Sequence, residues 1–221
     1  MEPLFPDLSR HQCLVYEGAP SRQLSALAAA VHNKLSQGYR CLCLNSAPMI
    51  AGMGSYLAAA NVDVEGALTS GSLVLSSEQQ HLVDGHFDPD RLMGTLEKTL
   101  KRALQDGYAG LWATGDMTWE MGPDRDFSKL LEYEWRLEGF FREHPELGGI
   151  CQYHADTLPW EAVRQGLLAH RGVFVNETLS LLNPHGLGPG SSTRGMADDS
   201  EMDSFLARVL KAAGLGDPSE S

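Results

Sequence analysis

Positive charge is scarce in this 221-residue chain, with 17 Lys and Arg against 29 Asp and Glu and a formal charge of -12. A surface of that sign repels a phosphate backbone, which argues against direct binding of nucleic acid. The span from Cys41 to Asp90 contains no Lys or Arg at all. Long apolar runs are also missing: none approaches the roughly 20 residues needed to cross a bilayer. The opening MEPLFPDLSR has neither the basic nor the apolar region of a secretion signal, so the expectation is a cytosolic chain with no membrane partner. Cysteines number four, Cys13, Cys41, Cys43 and Cys151, all in apolar stretches, which points to buried thiols and not a disulfide framework. Cys41 and Cys43 would face one side of a strand, as ligands of a soft metal do. A closed site needs about four ligands, and no second close pair accompanies them, so neither a metal nor a cofactor is expected.

Several catalytic signatures are absent too. There is no HExxH, no GxSxG elbow and no local signature around a cysteine nucleophile. No ligand spacing links His81, His86 and His154, and most of the histidines read as surface or capping residues. A phosphate loop needs glycines, amides aimed at the ligand and a lysine. After the first apolar run the chain offers EGAPSRQL, with one glycine and only Arg22 as a cation, and AGMGSY (Ala51 to Tyr56) lies in the span without cations. The glycine pair in AGMGSY is read as a mobile turn or a place of close helix packing.

What is present is a βαβ rhythm, in a chain of 43% apolar and 21% charged residues. Strands are predicted at Gln12 to Glu17, Arg40 to Asn45, Ser72 to Leu75, Ala109 to Gly115, Gly149 to Tyr153 and Gly172 to Val175. Helices fall between them at Ser21 to Gln37, Met49 to Ala60, Pro89 to Gln105, Phe127 to Glu143 and Trp160 to His170. The alternation implies an α/β fold with a mostly parallel sheet, because parallel neighbours require crossover helices. Ligands of such sheets bind beyond the carboxyl ends of the strands, so Glu17, Asp116 and His154, each placed after a strand, should meet at one rim.

In the helix DFSKLLEYEWRLEGFF, Phe127, Leu130, Leu131, Leu137 and Phe141 form an apolar face with Glu134 near its centre and Glu138 beside it. A carboxylate placed there must have a partner or stay protonated. Two readings stand: an ion pair or hydrogen bond tying helix to sheet, or a carboxylate lining a ligand cavity with its pKa raised. Trp112 is expected in the core. Trp119 and Met117, past the turn at Gly115, could wall an apolar pocket for a small molecule.

The runs HQCLVYE, GHFDPDRLMGTLEKTLKRALQDGYAGLWATGDMTW, LLEYEWRLEGFF and GICQYHADTLPWEAV, in that order, resemble the MEDS domain, the methanogen and methylotroph sensory domain. The resemblance covers residues 9–184 and implies a RecA/KaiC-like three-layer sandwich with a degenerate phosphate loop. It further implies a sensor of simple hydrocarbon derivatives that signals to a kinase or transcription factor. The motif positions it marks are Tyr16, Glu17, Phe87, Asp88, Gly115, Asp116, Met117, Trp119, Tyr133, Glu134, Cys151, Gln152 and Tyr153. Trp112 stands where the family often has Arg, and His154 where Asp is common. Residues 185–221 read as a flexible connection and an amphipathic helix carrying Met202, Phe205, Leu206, Val209 and Leu210. That helix docks on its own domain or offers itself to a partner.

The expectation is therefore a non-enzymatic sensory domain enclosing a small, largely apolar organic ligand at the carboxyl rim. Its ligand-binding candidates are Tyr16, Glu17, Phe87, Asp116, Met117, Trp119, Tyr133, Glu134, Gln152, Tyr153 and His154. Two rival readings are a diverged RecA-like ATPase using Asp116 and Glu17 with magnesium, and a scaffold with no ligand.

Overall fold

A computed structural model describes residues 10–77, 87–118, 128–170, 172–175 and 178–182. Seven strands form one sheet in the order β3-β2-β4-β5-β1-β6-β7. They are β1 (His11–Tyr16), β2 (Arg40–Asn45), β3 (Leu73–Ser77), β4 (Leu111–Asp116), β5 (Leu147–His154), β6 (Gly172–Val175) and β7 (Thr178–Leu182). The first six are parallel, and β7 returns antiparallel along β6. Six α-helices connect them among the described residues: α1 (Leu24–Ser36), α2 (Ala47–Ala59), α3 (Val64–Ser70), α4 (Pro89–Gln105), α5 (Ser128–Glu143) and α6 (Trp160–Ala169). The predicted α/β alternation is borne out; α3 and β7 had no counterpart in the sequence reading. None of the described helices is long and apolar enough to cross a membrane.

Alternation along each strand sends neighbouring side chains to opposite faces. On one face Cys13, Val15, Leu42, Leu44, Leu111 and Cys151 pack against α4, α5 and α6 through Leu92, Leu96, Leu130, Leu137 and Leu167. On the other, Leu14, Tyr16, Cys41, Cys43 and Trp112 pack against α1 and α2 through Leu24, Leu27, Met53 and Leu57. The result is three layers with a core on each side of the sheet, and Trp112 lies in the second core as expected.

Local chemistry fixes the elements. Asp88 caps α4 by accepting from Asp90 N at 3.0 Å and Arg91 N at 3.3 Å, and Pro89 follows as a first-turn residue. A family-motif position thus has a structural duty. AGMGSY lies within α2, where a methyl on Gly52 would come within 2.6 Å of Leu24 Cδ1. Of its two readings, close helix packing is the one realised. All four cysteines are free and buried. Cys41 and Cys43 collect no other ligands among the described residues; burial pushes the Cys41 thiol up to about 12 and Cys43 higher still.

Candidate functional site

The sheet divides the expected site in two. The register pairs Tyr16 with His154 and Asp116 with Gln152 at the carboxyl end, all on the face that carries α1 and α2. There the Tyr16 hydroxyl donates to Asp116 Oδ2 at 3.1 Å, and the Tyr16 ring stacks on His154 with centroids 4.9 Å apart. Asp116 Oδ1 also accepts from the Thr118 amide at 2.8 Å and the Thr118 hydroxyl at 2.6 Å. Gln152 donates to Thr114 Oγ1 at 2.8 Å and accepts weakly from Asn45 at 3.4 Å. Burial, the Asp116 charge and the hydrogen bond to it push the Tyr16 phenol far above its ordinary range. Glu17, just past β1, is half-buried.

The loop after β1 is engaged by protein groups. Gly18, with φ of 78°, donates its amide to Asp156 Oδ2 at 2.7 Å, and its carbonyl lies 2.8 Å from His154 Nε2. His154 Nδ1 meets the Thr157 hydroxyl at 2.6 Å.

On the opposite face, Met117, Phe87 and Tyr133 are buried, and Phe87 meets Tyr133 edge to face at 5.3 Å. Met117, two residues beyond Gly115, turns inward under α4 and α5 and borders an apolar cavity there. These helices and β4–β5 enclose an apolar cavity of about 20 Å³, bordered by Leu44, Gly115, Met117, Tyr133, Leu137 and Cys151. Trp119 lies outside the described residues, as do Phe127, His81, His86 and the C-terminal helix.

Glu134 does not join the rim. It lies fully buried on the cavity side of the sheet, where the hydroxyl of Tyr153 donates to its Oε1. Its Oε2 lies 3.2 Å from His11 Nε2 and 3.5 Å from His170 Nε2, and the Cys151 thiol donates to it at 3.8 Å. His11 opens β1, Cys151 and Tyr153 share a face of β5, and His170 follows α6. Within α5, Leu130, Tyr133, Leu137 and Phe141 are buried with Glu134; Leu131 is only half-buried, so the apolar face is narrower than predicted.

The electrostatics differ from the raised carboxyl considered in the sequence. Burial alone would raise Glu134, but the neighbouring His170 and His11 and the hydrogen bonds from His11 and Tyr153 hold it below the ordinary carboxylate range. Burial opposes a charge on His11, yet hydrogen bonds and attraction to Glu134 and Glu138 raise its pKa. His170 goes the other way, pushed to about 4 by burial and by His11. His11 and His170, which the sequence reading did not single out, are core residues at 3% and 0% exposure. The available signal was His11 at the head of an apolar strand and His170 at the junction of a buried helix and strand.

The fold has a solved likeness: a KaiC-like protein from the hyperthermophilic archaeon Pyrococcus horikoshii OT3 superposes with a TM-score of 0.54, at 13% identity, over 78% of this chain and 76% of that one. No curated protein matches the sequence. The family model for the MEDS domain, the methanogen/methylotroph, DcmR sensory domain, matches residues 10–171. A sheet and helix set of KaiC-like form, together with that match across most of its length, shows that this chain belongs to the MEDS family of sensory domains.

Proposed function

We propose that the chain is a non-enzymatic sensor whose ligand is a very small, largely apolar organic molecule held between β4–β5 and helices α4–α5. The observation that carries this reading is the cavity of about 20 Å³ walled by Leu44, Gly115, Met117, Tyr133, Leu137 and Cys151. A void needs roughly 10–15 Å³ by this measure to admit one water, and an apolar void of that size stays dry. The space therefore suits a molecule of one or a few heavy atoms, with Met117 the side chain best able to yield to a larger one. Asp116 and His154 face away from it, so the polar contact would come from the Tyr133 or Cys151 side of the wall.

Nucleotide turnover has less support. The chain lacks a loop lysine, and the Gly18 amide is held by Asp156 at 2.7 Å. Occupancy of the cavity would act on a partner regulator, such as a kinase or transcription factor, only as far as it distinguishes two states of the domain. The segment 197–221 is the proposed contact. Deleting it should abolish partner capture while leaving ligand binding intact.

Thermal-shift and calorimetric titration with small halocarbons, alcohols and amines, beside ATP with magnesium, is the test. A ligand at a hundredfold over its Kd should stabilise the fold by about 2.7 kcal/mol. Stabilisation by magnesium-ATP, or by none of the small molecules, would overturn the reading.

A further inference from the structure

Four side chains from four separate elements point one donor atom each at a common centre. One ligand atom each from His11, Glu134, Cys151 and His170 lies within 4.8 Å of the others, and every one of these residues is buried. Four separations are sharper: 3.2 Å from His11 to Glu134, 3.5 Å from His170 to Glu134, 3.5 Å from Cys151 to His11 and 3.8 Å from Cys151 to Glu134. A tetrahedral ion with bonds of about 2.0–2.3 Å requires ligand-to-ligand edges of roughly 3.3–3.7 Å. These four edges lie close to that range, and the other two fall within 4.8 Å.

The outer atoms are arranged to match. His11 turns its other nitrogen, Nδ1, to Glu138 Oε2 at 3.1 Å, and His170 turns Nδ1 to the Gly166 carbonyl at 2.6 Å. Glu134 gives its second oxygen to the Tyr153 hydroxyl. Imidazoles that ligate metals commonly donate the remote N–H to a carboxylate or carbonyl in this way. A carbonyl only accepts, so His170 Nδ1 carries the proton and a neutral ring presents a bare lone pair at Nε2. That Nε2 is fully buried, has no hydrogen-bond partner and looks toward a carboxylate oxygen that is also an acceptor. With the His170 ring neutral, two acceptors face each other out of water, a costly arrangement that a cation between them would relieve.

We propose that His11, Glu134, Cys151 and His170 form a closed four-ligand site for a borderline-soft divalent transition ion of the zinc class. Mixed nitrogen, sulfur and carboxylate donors suit that class and not calcium or magnesium. Binding displaces the Cys151 thiol proton, and the Nε2 proton of His11 where present, to solvent. With four protein ligands no position stays open, so the ion's role is structural: it pins α5, β1, β5 and the α6–β6 junction together. The inference does not depend on the cavity taking a ligand.

The full chain, expressed in zinc-supplemented medium, should carry about one zinc, and after chelation it should take up about one cobalt ion with tetrahedral visible bands and a sulfur-to-cobalt charge-transfer band. Cys151→Ser should remove the charge-transfer band. Glu138→Gln, altering a partly exposed carboxylate outside the ligand set, should weaken cobalt binding about 10–100-fold while far-ultraviolet dichroism stays native. Failure of the folded, metal-free chain to bind either ion stoichiometrically would overturn the proposal. So would a charge-transfer band unchanged in Cys151→Ser, or an affinity unchanged in Glu138→Gln.

Discussion

Tyr153 donates its hydroxyl to Glu134, joining the middle of α5 to β5 inside the core between sheet and helices. The contact places one carboxylate among two imidazoles, a phenol and a thiol with no access to water. In the metal-free chain, Tyr153→Phe should cost about 1–3 kcal/mol, because it leaves a buried acceptor unpaired. Glu134→Leu should cost about 3 kcal/mol, since it removes the fully buried one of the two carboxylates beside His11 and leaves only Glu138. Urea unfolding with a constant slope is the measurement for both.

Gly166 lies under the Tyr153 ring, so close that a methyl there would fall 2.4 Å from Cζ. Gly166→Ala is expected to push the phenol off Glu134 and destabilise the fold by about 1–3 kcal/mol. A double-mutant cycle with Tyr153→Phe should show the two losses to be strongly non-additive.

Gly115 borders the cavity, and a methyl added there would meet Met117 Cε at 3.2 Å and Leu44 Cβ at 3.6 Å. The thioether end can shift by a few tenths of an ångström, so Gly115→Ala should fold. It should also fill part of the cavity and lower affinity for a small apolar ligand by about tenfold or more, as one methylene does in an apolar pocket. Calorimetric titration of wild type and variant checks it.

Tyr16 binds Asp116 on the opposite face of the sheet from the cavity. Tyr16→Phe is expected to lower stability by about 1–2 kcal/mol by removing a hydrogen bond to a charged group. Affinity for the small ligand should stay within about 0.5 kcal/mol, as for independent sites. Equal losses in both would show that the two faces act as one site.

Much of the architecture was legible because it depends on local pattern. Among the described residues, apolar runs alternating with helical periodicity matched six of the seven strands and five of the six α-helices, within a residue or two at most ends. β7 follows β6 closely and lacks the intervening helix on which the rhythm relies. The position of Glu134 on an apolar helix face was evident, as was its need for a partner.

The partners were another matter. Glu134 meets His11 and His170, which are 123 and 36 residues away along the chain, and nothing local marks either one. The candidates Gln152 and Tyr153 were grouped at one site although adjacent strand residues must face opposite ways; the sheet sends one to the rim and the other to the buried carboxylate. Sequence alone determined the element types, the absence of a lysine from the loop after β1 and the family likeness, since each resides in short-range pattern and composition. Tertiary structure decided which face each candidate serves and which donors surround Glu134, because strand order and register bring together residues that the chain keeps far apart.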